Sequence, residues 1–321
     1  MAEHVLPRPG DKLTSNPPIS GPTEEAFTDQ FGKLLPPAKY LTTSNGKAAY
    51  YDFPPSVPTS AQVTPDRVIF IHGVQTPALG LLPLASSLKA SFPGSHFVLL
   101  DLWGHGLTDT PILPHEASLF HRLIDELLDD LKWPTVHLVG FSFGGALTVG
   151  YVATRSARVK SFTLVAPAGL IKSASLSEEE RNFLGKGSDE TEARKWVIRF
   201  LEGSPHPIVP PDWRDRVARG EVVAPAIKDW QMREHAGHVA SVVAIFRDGG
   251  LIDNQEMFAR AVKTGILSTV VLGGEDGICS KEELGELGFR NVYVVPGTGH
   301  NVVREKVPEV AGFISEFWKK L

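Results

Sequence analysis

From residue 67 onward the chain alternates between two hydrophobic rhythms. Short, nearly continuous apolar runs (RVIFIHG from 67, HFVLLDLWG from 96, VHLVGFS from 136, SFTLVAP from 161) have the length and composition of strands buried on both faces of a parallel sheet. Between them lie ALGLLPLASSLKASF, ASLFHRLIDELLDDLK and GGALTVGYVATRSA, each long enough for a helix. Strand, helix and strand in repetition predict right-handed crossovers and an open, twisted, mostly parallel sheet with helices on both faces, an α/β fold.

The alternation stops at about residue 171. As far as residue 262 only helical segments follow, among them SLSEEERNFLG, DETEARKWVIRFLEG, PDWRDRVARG and IKDWQMREHAGHVASVVAIFRDGG. They carry Trp196, Phe200, Trp213, Trp230, Met232 and Phe246. A buried strand returns in ILSTVVLGGEDG, another in NVYVVPGTGH, and EKVPEVAGFISEFWKK predicts a closing amphipathic helix. The economical reading is a core of residues 38–170 and 263–321 interrupted by a helical cap at 171–262. Ahead of it, KYLTTSNGKAAYYDF holds two β-prone runs around Asn45-Gly46, a strong hairpin signal. Residues 1–37 carry seven prolines and almost no apolar period, which predicts an extended N-terminal arm.

Composition narrows the class. With 42% hydrophobic and 21% charged residues, the 321-residue chain can fill a sizeable core. A formal net charge of −5 and the lack of a long basic run make nucleic acid an unlikely partner. The single cysteine, Cys279, leaves no intramolecular disulfide or cysteine metal cluster and fits a small buried hydrophobe. No apolar run reaches membrane-spanning length, and the first residues lack a signal-peptide core, so a cytoplasmic location is expected. A peroxisomal reading of the C-terminal tripeptide is weak, because Lys319 stands where a small residue belongs. Oligomeric state is not legible.

The candidate chemistry centres on GFSFG, residues 140–144. A strand ending at Gly140, a turn at Ser142 and a helix beyond it would put the hydroxyl on a sharp corner, where only glycine tolerates the crowding on either side. The nearby helix N-terminus offers free N–H groups to developing negative charge. The bland reading is a glycine-rich turn with an idle serine. A serine nucleophile needs a base and a carboxylate that orients the base, and an oxyanion needs two donors, one of them the N–H of Phe143, directly after the nucleophile.

Together, GFSFG, IFIHG at 69–73, DLWGHGLTDTP at 101–111, GGEDG at 273–277 and GTGH at 297–300 resemble the α/β-hydrolase superfamily, in the branches that carry a helical cap. The resemblance spans about residues 39–321 and is not specific to one substrate. It implies the order serine, acid, base along the chain, with His300 past the last strand as base and Asp276, in its G-x-x-D setting, as acid. Glu275 is the alternative; VAPAGL, where some branches take the acid, offers no carboxylate. It also points to Val74 for the second oxyanion donor, to His72 as a support of that loop, and to Asp101, Trp103 and His105 as residues that fix a turn. Phe141, Gln75, Trp196, Phe200 and Trp230 are candidates for the substrate pocket, although cap aromatics at helical spacing are as readily the cap's own core. Phe141 and Phe143 suggest an apolar acyl or alkyl group.

Serine at 142 argues against epoxide hydrolases and haloalkane dehalogenases, in which aspartate is expected there. HGVQTPALG lacks the Gly- and Pro-rich run usual in proline iminopeptidases and meta-cleavage C–C hydrolases. The resulting expectation is a cofactor-free, metal-free serine hydrolase acting on an ester, lactone or thioester of a moderately sized, largely apolar molecule. Alternatives are an acyltransferase or carbon–carbon lyase on the same residues, and a small-molecule binding protein that turns over slowly.

Overall fold

The computed structural model describes residues 4–57 and 64–321, so residues 1–3 of the arm and 58–63 of the core lie outside the described residues. A hairpin of β1 (Lys39–Thr43) and β2 (Gly46–Phe53) turns at Asn45-Gly46 and leads into β3 (Arg67–Ile71), β4 (His96–Leu100), β5 (Val136–Phe141), β6 (Val159–Val165), β7 (Ser268–Gly273) and β8 (Val292–Val295). They form one sheet in the order β1-β2-β4-β3-β5-β6-β7-β8, in which β2 runs antiparallel to both neighbours and every later pairing is parallel. Fold class is as predicted.

The helices are α1 (Glu24–Phe31), α2 (Leu82–Ser91), α3 (Ala117–Asp130), α4 (Phe143–Thr154), α5 (Glu178–Leu184), α6 (Glu190–Glu202), α7 (Trp213–Ala218), α8 (Ala224–Glu234), α9 (His238–Asp248), α10 (Gln255–Lys263), α11 (Lys281–Glu286), α12 (Val302–Glu305) and α13 (Val307–Trp318). Alternate residues of each central strand serve opposite faces of the sheet. Ile69 and Ile71 of β3 pack toward α3 and α4, while Val68 and Phe70 pack toward α2 and α13. Burial on both faces explains why these strands read as unbroken apolar runs.

Helices α5 to α9 occupy the stretch between β6 and β7, whose two ends meet in a short parallel bridge between Ile171 and Ile252. The last helix of the stretch assigned to the cap, α10, lies instead against α4 on the sheet, with Phe258 and Ala261 buried there. Its apolar residues return to the sheet's layer before β7 begins.

The N-terminal arm is not uniformly extended. Thr23 caps α1 by accepting from the Ala26 N–H, Glu24 and Glu25 sit in its first turn, and Gly32 ends it with a φ of 62°. Phe27 and Phe31, one turn apart, bury against Trp230, and Phe31 also meets Trp213. Further upstream, Arg8 donates to the carbonyls of Leu184 and Gly185 and pairs with Asp248 at 2.8 Å, while Leu6 packs on Ala240 and Ala244. Ile19 bridges Thr110, and the Gly21 N–H donates to Asp109. The arm therefore fastens helices α5, α8 and α9 to the rim of the sheet.

Candidate active site

Ser142 lies between the end of β5 and the start of α4, with φ 54° and ψ −118°, a conformation side chains other than glycine rarely adopt. Such strain costs of the order of 1–3 kcal/mol and persists where the surroundings over-determine it. Here the Ser142 N–H donates to the Val165 carbonyl at 3.1 Å and the Ser142 carbonyl accepts from Ala168 at 2.9 Å, tying the corner to the end of β6. Two glycines make the corner possible. A Cβ at Gly144 would stand 2.0 Å from the Ile71 carbonyl oxygen, and one at Gly73 would stand 2.8 Å from the Ser142 Cβ.

His300 follows β8 and immediately precedes the turn into α12. Its Nε2 stands 2.9 Å from Ser142 Oγ and its Nδ1 2.9 Å from Asp276 Oδ2. The Asp276 carboxylate is almost wholly buried and its other oxygen accepts from the Ile278 N–H at 3.0 Å, so its orientation is set from the backbone. With the Nδ1 proton donated to Asp276, Nε2 is free to accept the serine proton, and Ser142 Oγ can become a nucleophile. Glu275, the alternative acid, is exposed at the cavity rim.

The backbone N–H groups of Val74 and Phe143 have no hydrogen-bond partner among the described residues. Phe143 is the first residue of α4, so its N–H is one of the groups a helix leaves unpaired. The loop that carries Val74 is braced from behind. His72 donates from Nδ1 to the Gly73 carbonyl at 2.7 Å and accepts at Nε2 from the Leu102 N–H at 2.9 Å. His105 donates to the Trp103 carbonyl and accepts from the Gln75 N–H. Burial drives His72 down to about 4, and His105 also falls well below its ordinary value, first through burial and then through the neighbouring His238 and His72. Both stay neutral, as their accepting nitrogens require. Asp101 receives the Ala78 and Leu107 N–H groups and the Tyr51 hydroxyl, and burial nonetheless pushes its carboxyl up to about 6. These residues hold the turn.

Ser142 and His300 open into a cavity of about 320 Å³, at the small end of the range for ligand sites. Val74, Gln75, Phe141 and Phe200 line it. Trp196 and Trp230 do not: Trp196 packs among Phe183, Phe200 and Phe246, and Trp230 against the aromatics of α1. Phe143 turns away as well, edge-on to Phe120 in the core, so it offers the cavity no apolar surface. Cys279 is a buried thiol that burial pushes up to about 12, unsuited to nucleophilic work at neutral pH.

The cavity is more polar than the sequence suggested. Asn301, Arg304 and the ion pair of Lys228 with Glu202 (2.7 Å) also line it. Arg304 lies four residues beyond His300, where a helical turn returns it to the same side of the chain, a spacing that was open to reading. Lys228 and Glu202 come from α8 and α6 and carry no local signal. No group of three or more His, Cys, Asp or Glu side chains that could hold a metal ion occurs among the described residues, and none of the described helices is long and apolar enough to cross a membrane.

A strained serine on a strand-to-helix corner thus lies within hydrogen-bonding distance of a histidine that meets a buried aspartate. The model described as the alpha/beta hydrolase family matches residues 68–312, and the chain belongs to that family. Membership supports hydrolase activity on a small molecule.

Among solved structures, an enol-lactonase of Burkholderia xenovorans LB400 superposes with a TM-score of 0.63 at 15% identity, covering 88% of this chain and 100% of that one. A meta-cleavage product hydrolase of Pseudomonas fluorescens IP01 does so at 0.61 and 20%, covering 89% and 98%. Among curated proteins, a candidate 2-succinyl-6-hydroxy-2,4-cyclohexadiene-1-carboxylate synthase of Bacillus subtilis (strain 168) is 34% identical over 101 residues, 31% of this chain and 35% of that protein. The dihydrolipoyllysine-residue acetyltransferase component of the acetoin cleaving system of Pseudomonas putida is 23% identical over 223 residues, 70% of this chain. The matches span about a third and about half of the lengths of these two relatives.

Proposed function

We propose that the chain is a serine hydrolase that cleaves an ester, lactone or thioester bond of a moderately sized molecule through an acyl-enzyme on Ser142. The observation that carries this reading is the pair of 2.9 Å contacts joining Ser142 Oγ, His300 and Asp276 across three separate loops of the sheet. In the proposed cycle His300 takes the Ser142 proton as Oγ attacks the carbonyl carbon. The oxyanion is held by the N–H groups of Val74 and Phe143, which supports the reading because both are otherwise unpaired. The imidazolium, stabilised by Asp276, then protonates the leaving group. Water activated by the same histidine releases the acid and restores the serine. Helices α5 to α9 are proposed as the cap that closes this cavity.

The test is covalent labelling by a fluorophosphonate, read by intact mass. The wild-type protein is expected to gain one adduct, Ser142→Ala none, with an unchanged thermal midpoint. A variant that still labels would remove Ser142 from the reaction. Brief exposure to p-nitrophenyl esters should further give a transient acyl adduct and release of nitrophenol.

A further inference from the structure

One corner of the cavity holds buried polar atoms that no described residue satisfies. Gln75 is almost fully buried, yet neither its side-chain nitrogen nor its oxygen has a partner among the described residues. Arg304 Nη1 is likewise buried without a partner. Its guanidinium lies 5.2 Å from the centre of the Phe141 ring, and Phe141 in turn stands 5.3 Å from the His300 ring, so cation, aromatic and base form one layer. On the other side Nη1 meets the loop after Gly73: a Cβ at Gly80 would come within 3.6 Å of it and 3.0 Å of the Thr76 Cβ. Gln75, Thr76 and Arg304 thus share one end of the cavity that holds Ser142.

The charges there do not cancel. Lys228 is neutralised by Glu202, Asp276 is engaged with His300, and Glu275 faces solvent. Arg304 has no carboxylate within salt-bridge distance among the described residues; Glu305 and Glu202 act on it from further off, and its one hydrogen bond runs to the neutral amide oxygen of Asn301. A buried guanidinium nitrogen without an acceptor is costly, and a buried amide with both ends unpaired adds to that cost. Such groups are retained where a ligand supplies the missing partners. The guanidinium is a planar donor fork matched to a planar acceptor pair. It carries a single charge, which one carboxylate neutralises and a dianionic phosphate would overshoot. The apolar wall opposite, made of Ile171, Leu201, Phe246, Leu251 and Ile278, suits a hydrocarbon or aromatic body.

We propose that the Gln75–Thr76–Arg304 corner is a carboxylate subsite, so that the substrate cleaved at Ser142 is an acid carrying its scissile bond at a distance from a free carboxylate. This rests on the serine-hydrolase reading of the same cavity and names the substrate class. Arg304 and Gln75 bind the carboxylate; Arg304 positions it and takes no part in the chemistry at Ser142.

The experiment compares charge with shape. Binding of phenylacetate, 3-phenylpropionate and 4-phenylbutyrate, and of the neutral amide of each, is measured by calorimetry at pH 7.5 on the full chain, on Arg304→Met and on Arg304→Lys. The best acid is expected to bind wild type at least about tenfold more tightly than its amide, the scale of one charge-assisted pair. In Arg304→Met that ratio should fall to about one with the amide's affinity unchanged, and Arg304→Lys should lie between. A purely structural role for Arg304 would lower acid and amide affinity together, which would overturn the proposal. So would equal binding of acid and amide by wild type, or no binding of either in the millimolar range. Fluorophosphonate labelling of the same samples reports separately on the serine: loss of labelling with the acid preference intact would sink the hydrolase reading and leave the subsite standing.

Discussion

Acid should unfold this protein steeply, because histidines hold its layers together in the neutral form. His72, His105, His115, His121 and His238 are all buried, and burial is the first cause of each lowered value: about 4 for His72, His115 and His121, about 3 for His238, and well below the ordinary value for His105. His72 and His105 already accept a backbone N–H at one ring nitrogen, so protonation would break a bond as well as bury a charge. A histidine whose value is depressed by folding contributes stability that is whole above its unfolded value, about 6.5, and is lost as pH falls toward its folded value. Each of the five then costs about 1.4 kcal/mol per pH unit below about 6.5, or roughly 7 kcal/mol together at pH 5.5. Asp101 works in the opposite direction. Its carboxyl is raised to about 6 by burial, so protonation between there and its unfolded value returns about 1 kcal/mol. A net loss near 6 kcal/mol is comparable to the whole stability of many domains, about 5–15 kcal/mol. Urea unfolding at pH 7.5, 6.5 and 5.5 should show a midpoint that falls most between the last two, and calorimetry at pH 5.5 in two buffers of different ionisation enthalpy should count at least about four protons taken up on unfolding, one from each of the five histidines less the one that Asp101 gives up. A midpoint constant to within about 1 kcal/mol over that range would refute the reasoning and mean that solvent or a counter-charge reaches these rings. His121→Gln, which replaces the ring donor to the Leu147 carbonyl, should reduce the proton count by about one.

Two further outcomes follow from packing. Gly73→Ala places a methyl 2.8 Å from the Ser142 Cβ, and because displacing a reacting group by an ångström costs about a hundredfold, fluorophosphonate labelling should slow by one to two orders of magnitude with little change in melting temperature. Phe27→Ala removes the aromatic that seats α1 on Trp230, and the urea midpoint should shift by about 3 kcal/mol, while a shift under about 1 kcal/mol would mean that α1 is not part of the cooperative unit.

The parts of the molecule that were legible in its sequence are those where the physics is local. Strands buried on both faces announce themselves as apolar runs, and the Asn45-Gly46 turn as a hairpin. The glycines around Ser142 reflect crowding within a few residues, which is why the corner could be read locally, whereas His300 and Asp276 were expected only from the resemblance. What stayed hidden depends on distant partners. Helix α1 has only two large apolar residues, Phe27 and Phe31, and acquires its reason from Trp213 and Trp230, about two hundred positions away. The same partnership removes Trp230 from the cavity. The spacing of Arg304 from His300 stands in the sequence, but its place beside Phe141 and Gly80 does not, and α10 reads as one more cap helix until Phe258 is seen in the core beneath α4.

The arm that ties the helical layer to the sheet has a consequence for how the chain is made. Arg8 finds its acceptors 176 and 177 residues further on and its carboxylate 240 residues further on. At synthesis rates of about 5–20 residues per second, those partners emerge roughly ten to fifty seconds after Arg8 does. Throughout that interval Arg8 lacks its partners, although Ile19 and Gly21 meet Thr110 and Asp109 sooner. Its prolines favour an extended, solvated backbone that forms few competing structures while it waits. Docking of Arg8 therefore cannot be completed before α9 has been made, so the first residues of the chain are fastened only when most of the sheet and the helical layer already exist.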